Sequence, residues 1–471
     1  MIKVSRNRFM GSIGWSIVWV LLTASALWAA EASESYSVAS LAQLEVLDLE
    51  TAAKIALAES PSLAAAQERV TQAAQLVKQA QAPYWPQLEV SGGYSQVRVS
   101  QSSLDQQYGA ISQLFDIDIP DSEAEDYYKI QLKASWLLFD GLAREFTVAA
   151  ARYGHSASLA AEEDTQRLLL SSVASAYLQA QLAQENVLIA KADEAFNQRL
   201  LTEAKLRYDV GTGALSDVLN FEIRVNAAQS KRIQEERGYQ AGRIGLAALL
   251  GVTEGVLPQG LRLAELAAVS AQELVEPQSN ELVQTALKLR PDLKRSDSFV
   301  QQAEAGVKRA RAGYFPTIAL EASHTGERAE DTDFNNDDFG DTIGIGLTWN
   351  IFAGGLTRAQ HGEAKAKLFE AQRLRDDAHV QITAQINKIV TLINASRQQL
   401  LLQESNTKLV QKQRDLVEKE YKAGVGSLVR LNEAQKDLTV SQAQLTLSRA
   451  ALRLAWYELR AATGEIVGLI E

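Results

Sequence analysis

The pattern of apolar and polar positions changes type in a fixed order along this chain, and the order occurs twice. Residues 49–81 are rich in alanine, free of glycine and helical in composition, and Pro83 and Pro86 end the run. Further on, Tyr128, Ile130, Leu132, Ala134 and Trp136 alternate with Lys129, Gln131, Lys133 and Ser135, the period of a strand with one apolar and one polar face. In the second half Ile343, Ile345, Leu347, Trp349 and Ile351 alternate with Gly344, Gly346, Thr348 and Asn350. Residues 88–100 and 318–325 are compatible partner strands, so each half predicts a strand hairpin. A long stretch follows, 143–208, with a lone Gly154 and no proline; as a helix it would span ~100 Å. Within it Leu169, Val173, Ala176, Ala180, Ala183 and Val187 step by four and three alternately. Adding 213 lands on Ile382, Ile386, Ile389, Ile393, Ser396 and Leu400. A sustained 3.5-residue seam predicts coiled-coil packing. A Gly-x-Gly turn then reverses each long helix, and a shorter amphipathic helix returns to Gly251 or Gly464.

Landmarks outside the seam repeat in the same order. Pro61 and Pro86 answer Pro291 and Pro316 at an offset of 230, while Trp136, Phe139, Tyr208, Gly211, Gly213 and Gly251 answer Trp349, Phe352, Tyr421, Gly424, Gly426 and Gly464 at 213. The chain therefore reads as a duplication whose change of offset falls where loops tolerate it. The expected organisation is a first repeat at 33–255, with a strand hairpin at 87–139 and a tip turn at 209–217. The second repeat, at 256–471, has an equatorial segment, a strand hairpin at 317–352 and a tip turn at 422–430. The fold class is mainly α with a small β part.

The N-terminus adds a cellular address. Lys3, Arg6 and Arg8 precede an apolar core, and small residues follow at Ala29, Ala30 and Ala32, so residues 1–32 read as a secretory signal peptide. No other stretch approaches the ~20 apolar residues of a spanning helix, so a membrane crossing must be made by strands. Four strands per chain cannot close on themselves, and an open sheet edge is prohibitively costly in lipid. Three chains sharing a twelve-stranded barrel is the small symmetric solution, which makes a homotrimer the expected state. Trp85, Trp136, Phe139, Phe315, Trp349 and Phe352, with Tyr84 and Tyr314, fall where strands meet helices, as a belt at a membrane interface would.

Composition removes other classes. A net charge of -11 argues against nucleic acid as a partner. Without cysteine there is no disulfide, thiolate metal site or lipidated anchor. The four histidines are scattered, and no nucleophile elbow or phosphate loop is present, so neither an enzyme nor a cofactor is expected. Both hairpin loops are acidic. Asp331-x-Asp333-x-Asn335 starts like a calcium loop but has Asn336 and Thr342 where that loop needs Gly and Glu.

The duplicated helix, hairpin and helix order, Pro86 and Pro316 as helix-to-strand swivels, and the turn Tyr208, Gly211, Asp217, Val218, Leu219 resemble the TolC family of outer-membrane efflux proteins. The resemblance implies a tunnel of helices in the periplasm of a Gram-negative cell, joined to the shared barrel in the outer membrane. It also implies an exit duct for a tripartite efflux or type I secretion system, with a periplasmic adaptor and an inner-membrane RND or ABC pump as partners. The glycine turns would be the inner aperture, formed by Tyr208, Gly211, Gly213, Asp217, Tyr421, Gly424, Gly426, Arg430 and Glu433. One departure stands out: the family's second turn carries an arginine soon after the glycines and acids beyond, whereas here Gly426, Arg430 and Glu433 occupy those places. Asp217 and Arg430 are equivalent at the 213 offset, so an alternating ring of three acids and three bases is expected at the closed tip. The other readings, a periplasmic coiled-coil adaptor or a structural envelope protein, predict one hairpin or no Trp-bearing strands.

Overall fold

The computed structural model describes residues 41–469 apart from 117, 119 and 120, so the expected signal peptide lies outside the described residues. In chain order the elements of the first half are β1 (Val46–Leu47), α1 (Leu49–Glu59), α2 (Pro61–Gln81), β2 (Gln87–Arg98), α3 (Gln101–Phe115), β3 (Ala124–Phe139), α4 (Ala143–Asp209) and α5 (Leu215–Leu249). The second half follows with β4 (Arg262–Leu263), α6 (Ser279–Leu289), α7 (Pro291–Ala312), β5 (Thr317–Ala329), β6 (Phe339–Thr348), α8 (Leu356–Lys422) and α9 (Leu428–Thr463).

Residues 49–81, expected as one helix, form two. Pro61 has no N–H to give a continuing helix and instead takes the first position of α2, after Ser60 turns to extended backbone. Pro291 opens α7 in the same way after Arg290. At the second junction the Arg290 guanidinium bonds Asp292, 2.7 Å away, and reaches the Ala462 carbonyl at the end of α9. Arg167, paired with Asp164 at 2.7 Å, bonds the neighbouring Ala461 carbonyl. Two cations thus meet the negative end of α9. In the first repeat the equivalents of Arg290 and Asp292 are Ser60 and Ser62, whose hydroxyls lie 2.9 Å apart.

Helices α4 and α8 are each 67 residues long. On the α4 seam Leu169, Val173, Ala180 and Val187 are buried, and on the α8 seam Ile382, Ile386, Ile389, Ile393, Ser396 and Leu400 all are. The first seam packs with Ile55 and Ala56 of α1 and Leu246 of α5; the second packs with Ala286 of α6 and Leu452 of α9. A third cluster, including Phe196, Leu200, Phe221, Val417 and Leu431, joins the two helical hairpins near their tips. Gly251 closes the first returning helix with φ +77°, and a Cβ there would stand 2.6 Å from the Glu59 carbonyl oxygen. Only glycine permits that approach.

The four long strands form one antiparallel sheet in the order β2, β3, β5, β6. Its register puts Leu88, Val90, Leu132, Ala134, Trp136, Leu320, Ala322, Ile343, Ile345 and Leu347 on one face. The other face carries Glu89, Ser91, Lys129, Gln131, Lys133, Glu321, Ser323 and Thr342. Here Lys129 meets Glu327 at 2.7 Å and Lys133 meets Glu321 at 3.5 Å. The alternation read from residues 128–136 therefore extends across the whole sheet. The second alternating run is shorter than expected: β6 stops at Thr348, so Trp349, Ile351 and Phe352 lie beyond it. Gly354 and Gly355, at φ +60° and +90°, turn that segment into α8. The first hairpin also contains α3, a helix inside what the sequence presents as a polar loop.

Candidate functional site

Three regions carry the features that the sequence singled out: the sheet, the collar where strands meet helices, and the helical tips. In the sheet both faces are accessible, and strands β2 and β6 each keep one unpaired edge. An apolar face on a sheet open at both edges is stable in water only if something covers it.

At the collar Trp136 and Trp349 perform the same task in the two repeats. Trp136 donates its indole N–H to the Tyr84 carbonyl at 3.0 Å, and Trp349 donates to the Tyr314 carbonyl at 3.2 Å. Each bond fastens the end of one strand to the helix–strand joint before the other, next to Pro86 or Pro316. Trp85, Phe315 and Phe352 are exposed beside them. The first collar carries an extra lock that the second lacks. Arg144 bonds the carbonyls of Pro83, Leu137 and Leu138, sits 3.2 Å from the Asp140 carboxylate and stacks over the Tyr84 ring. Its equivalents at the 213 offset are Thr357 and, for Asp140, Ala353. The lock coincides with Leu142, a branched residue held at φ +72° where the second repeat has Gly355.

The tips are built alike. The N–H groups of Gly211 and Gly213 return to the carbonyls of Tyr208 and Arg207, and those of Gly424 and Gly426 return to Tyr421 and Glu420. Gly213 and Gly426 each face the preceding helix end so closely that a Cβ would fall 2.9 Å from Arg207 or 2.8 Å from Tyr421. Around this shared frame the side chains differ. Tyr421 packs edge-on to Phe221 with Arg207 over its ring, whereas Tyr208 is exposed. Burial, helped by the nearby Asp217 charge, pushes the Tyr421 phenol above its ordinary range. Asp217 and Arg430 fall in the first turns of α5 and α9 rather than in the turns themselves. An acid suits the positive end of a helix and a base does not. Arg430 has Glu420 of its own hairpin 3.4 Å away, and Glu433 is exposed. Among the described residues no ion pair joins Asp217 to Arg430.

Two sets of residues escape sequence reasoning. One is a polar cross-link behind the tips: the Asp193 carboxylate accepts from Gln435 at 2.8 Å and Thr439 at 3.1 Å, and Asn432 donates to Asn220 at 3.1 Å. These bonds tie α9 to α4 and α5, and no periodicity announces them. The other is a second aromatic level at the loop end of the sheet. Tyr94 and Tyr128 lie 5.3 Å apart, and Phe339 stacks on His324 at 4.9 Å. Period-two spacing from Trp136 through Ile130 to Tyr128 could have revealed it. In the loop above, Arg328 pairs with Asp331 and Asp338, so the residues that begin like a calcium loop are engaged by a cation of the chain itself.

The described residues form a wall with one apolar and one polar face, mounted on two helical hairpins. A model of the outer membrane efflux protein family matches residues 52–252 and 282–465. The chain belongs to the outer membrane efflux protein family. The pyoverdine export outer membrane protein OpmQ of Pseudomonas aeruginosa is 28% identical over 400 residues, which cover 84% of this chain and 80% of OpmQ. Protein CyaE of Bordetella pertussis is 26% identical over 433 residues, 90% of this chain and 84% of CyaE. Among solved structures, the outer membrane protein VceC from Vibrio cholerae superposes with a TM-score of 0.71 at 19% identity, covering 88% of this chain and 96% of VceC. Membership makes this chain an outer-membrane channel subunit for efflux or secretion, as the TolC-type resemblance implied.

Proposed function

We propose that three copies of this efflux-family chain close a twelve-stranded barrel in the outer membrane, with their helical hairpins forming one tunnel into the periplasm. The tunnel is a passive exit duct for an inner-membrane RND or ABC pump reached through a periplasmic adaptor, and it performs no catalysis. The observation that carries this reading is the sheet itself: one apolar face, one polar face and two unpaired edges, β2 and β6, on a single chain. Joining β2 of one copy to β6 of the next removes every edge and turns the apolar face to lipid. The collar residues Trp85, Trp136, Phe139, Phe315, Trp349 and Phe352 then lie at the periplasmic interface of the outer membrane, with Pro86 and Pro316 as the swivels between wall and tunnel. The glycine turns with Tyr208, Asp217, Tyr421, Arg430 and Glu433 surround the periplasmic aperture. Choice of cargo belongs to the pump, since nothing in the wall distinguishes a small molecule from a protein. Gel migration of unheated and heated outer-membrane fractions tests the assembly. An SDS-resistant band at three times the chain mass, lost on boiling, is expected; a monomer in both lanes sinks the reading.

A further inference from the structure

The least explained element is α3, the 15-residue helix between β2 and β3. It makes no extensive contact with any other described element. Leu104, Tyr108, Ile111 and Phe115 are spaced by four, three and four, so they form one stripe with the 3.5-residue repeat of a coiled-coil seam. That stripe is open: Ile111 is 49% exposed and Phe115 70%. Gln106 lies on the opposite face, about 190° around the helix by its 3.6-residue turn. A lone helix of this length, with Gly109 near its middle, is marginal in water, so its apolar stripe needs a cover.

Charge and connectivity choose the cover. Helix α3 has no lysine or arginine and one acid, Asp105, so nothing in it attracts an anionic lipid surface. It springs directly from β2, the free edge where the next copy joins, and three α3 helices must therefore stand around one barrel mouth. The sizes agree. Twelve strands spaced ~4.8 Å apart and tilted by ~40° make a barrel ~24 Å across. Three helices packed ~9 Å apart make a bundle ~20 Å across.

We infer that the α3 helices of three copies pack against one another through Leu104, Tyr108, Ile111 and Phe115 and cap the outer mouth of the channel. The inference rests on the trimer proposed above, and it adds a second constriction at the end opposite the glycine tips. The chain lacks cysteine, so single cysteines report contact without background. Under mild oxidation Ile111→Cys should convert about two of every three chains to a disulfide-linked dimer, because a threefold site leaves one thiol unpaired. Gln106→Cys should leave them monomeric on a denaturing gel. Native sizing of both variants is run in parallel. A trimer in which neither cysteine crosslinks, or both crosslink equally, overturns the cap while leaving the trimer standing. A chain that sizes as a monomer overturns both.

Discussion

The indole N–H of Trp136 and the carbonyl oxygen of Tyr84 form a 3.0 Å hydrogen bond that the chain makes a second time between Trp349 and Tyr314. The donor and acceptor pairs sit at different offsets, 213 and 230, so the bond spans the point at which the repeats differ in length. Replacing Trp136 by Phe retains the ring and removes the donor, at a cost of about 1 kcal/mol. The temperature at which the SDS-resistant assembly dissociates should fall for Trp136→Phe and for Trp349→Phe, and further for the double variant. An unchanged temperature would mean that the indole contributes only apolar area.

The tip glycines separate into two kinds. Gly211 and Gly424 have φ of +76° and +78° with open space around the missing Cβ, so alanine there meets backbone strain of about 1 kcal/mol. Gly213 and Gly426 have no room. Alanine at either must displace the helix end and costs more, in the range of about 1–3 kcal/mol for overpacking. Limited proteolysis of the intact channel should cut the tips of Gly426→Ala faster than those of Gly424→Ala; the reverse order would refute the packing argument.

Charge at the aperture gives a functional readout. If Asp217 and Arg430 of neighbouring copies alternate in a ring, Arg430→Asp or Asp217→Arg creates like-charge repulsion and raises closed-state conductance in planar bilayers. The pairing of Arg430 with Glu420 in its own hairpin sets up a competing expectation. The Arg430 and Glu420 side chains are 62% and 44% exposed, so that pairing is weak and screened by salt. Conductance that responds to Glu420→Gln but not to Asp217→Arg would assign Arg430 to its own hairpin and discard the ring.

The sequence was legible where periodicity governs. The seam positions, the strand alternation and the glycine turns all follow from spacing, and the matched 67-residue helices follow from the shared offset. It was illegible where one residue overrides a pattern or where contacts cross between elements. Pro61 reads as part of a helix by composition, yet its ring and missing N–H begin a new one. The run from Ile343 to Ile351 keeps its alternation, but the Gly354 and Gly355 turn draws the chain out of the sheet at Thr348. Helix α3 hides among serines and glutamines because its apolar stripe is only four residues long. The Asp193, Gln435 and Thr439 contact depends on which helices become neighbours, and polar residues on a long helix otherwise read as a wet surface.

Acid should expose the junction between the repeats. Burial alone would raise the Asp292 carboxyl, but the hydrogen bond and charge of Arg290, with Arg167 beside it, hold it below the ordinary carboxylate range. A depressed folded pKa contributes stability that is present above the unfolded value of about 4 and lost as pH falls through the folded one. Wild-type stability should therefore decline more steeply below about pH 4 than that of Asp292→Asn, which has no carboxylate to protonate. Parallel acid denaturation curves for the two proteins would contradict the assignment.

The equal length of α4 and α8 sets a rule for how the molecule can change size. Removing residues from one helix alone would leave the two tips at different depths and pull Phe221 away from Tyr421. Removing seven from both, with the matching length from α5 and α9, keeps Leu169 and Ile382 on their seams, whereas other numbers must be absorbed by over- or underwinding. The unstrained way to shorten or lengthen a duct of this build is in paired steps of about 10 Å, so its reach across the periplasm changes most easily by whole heptads.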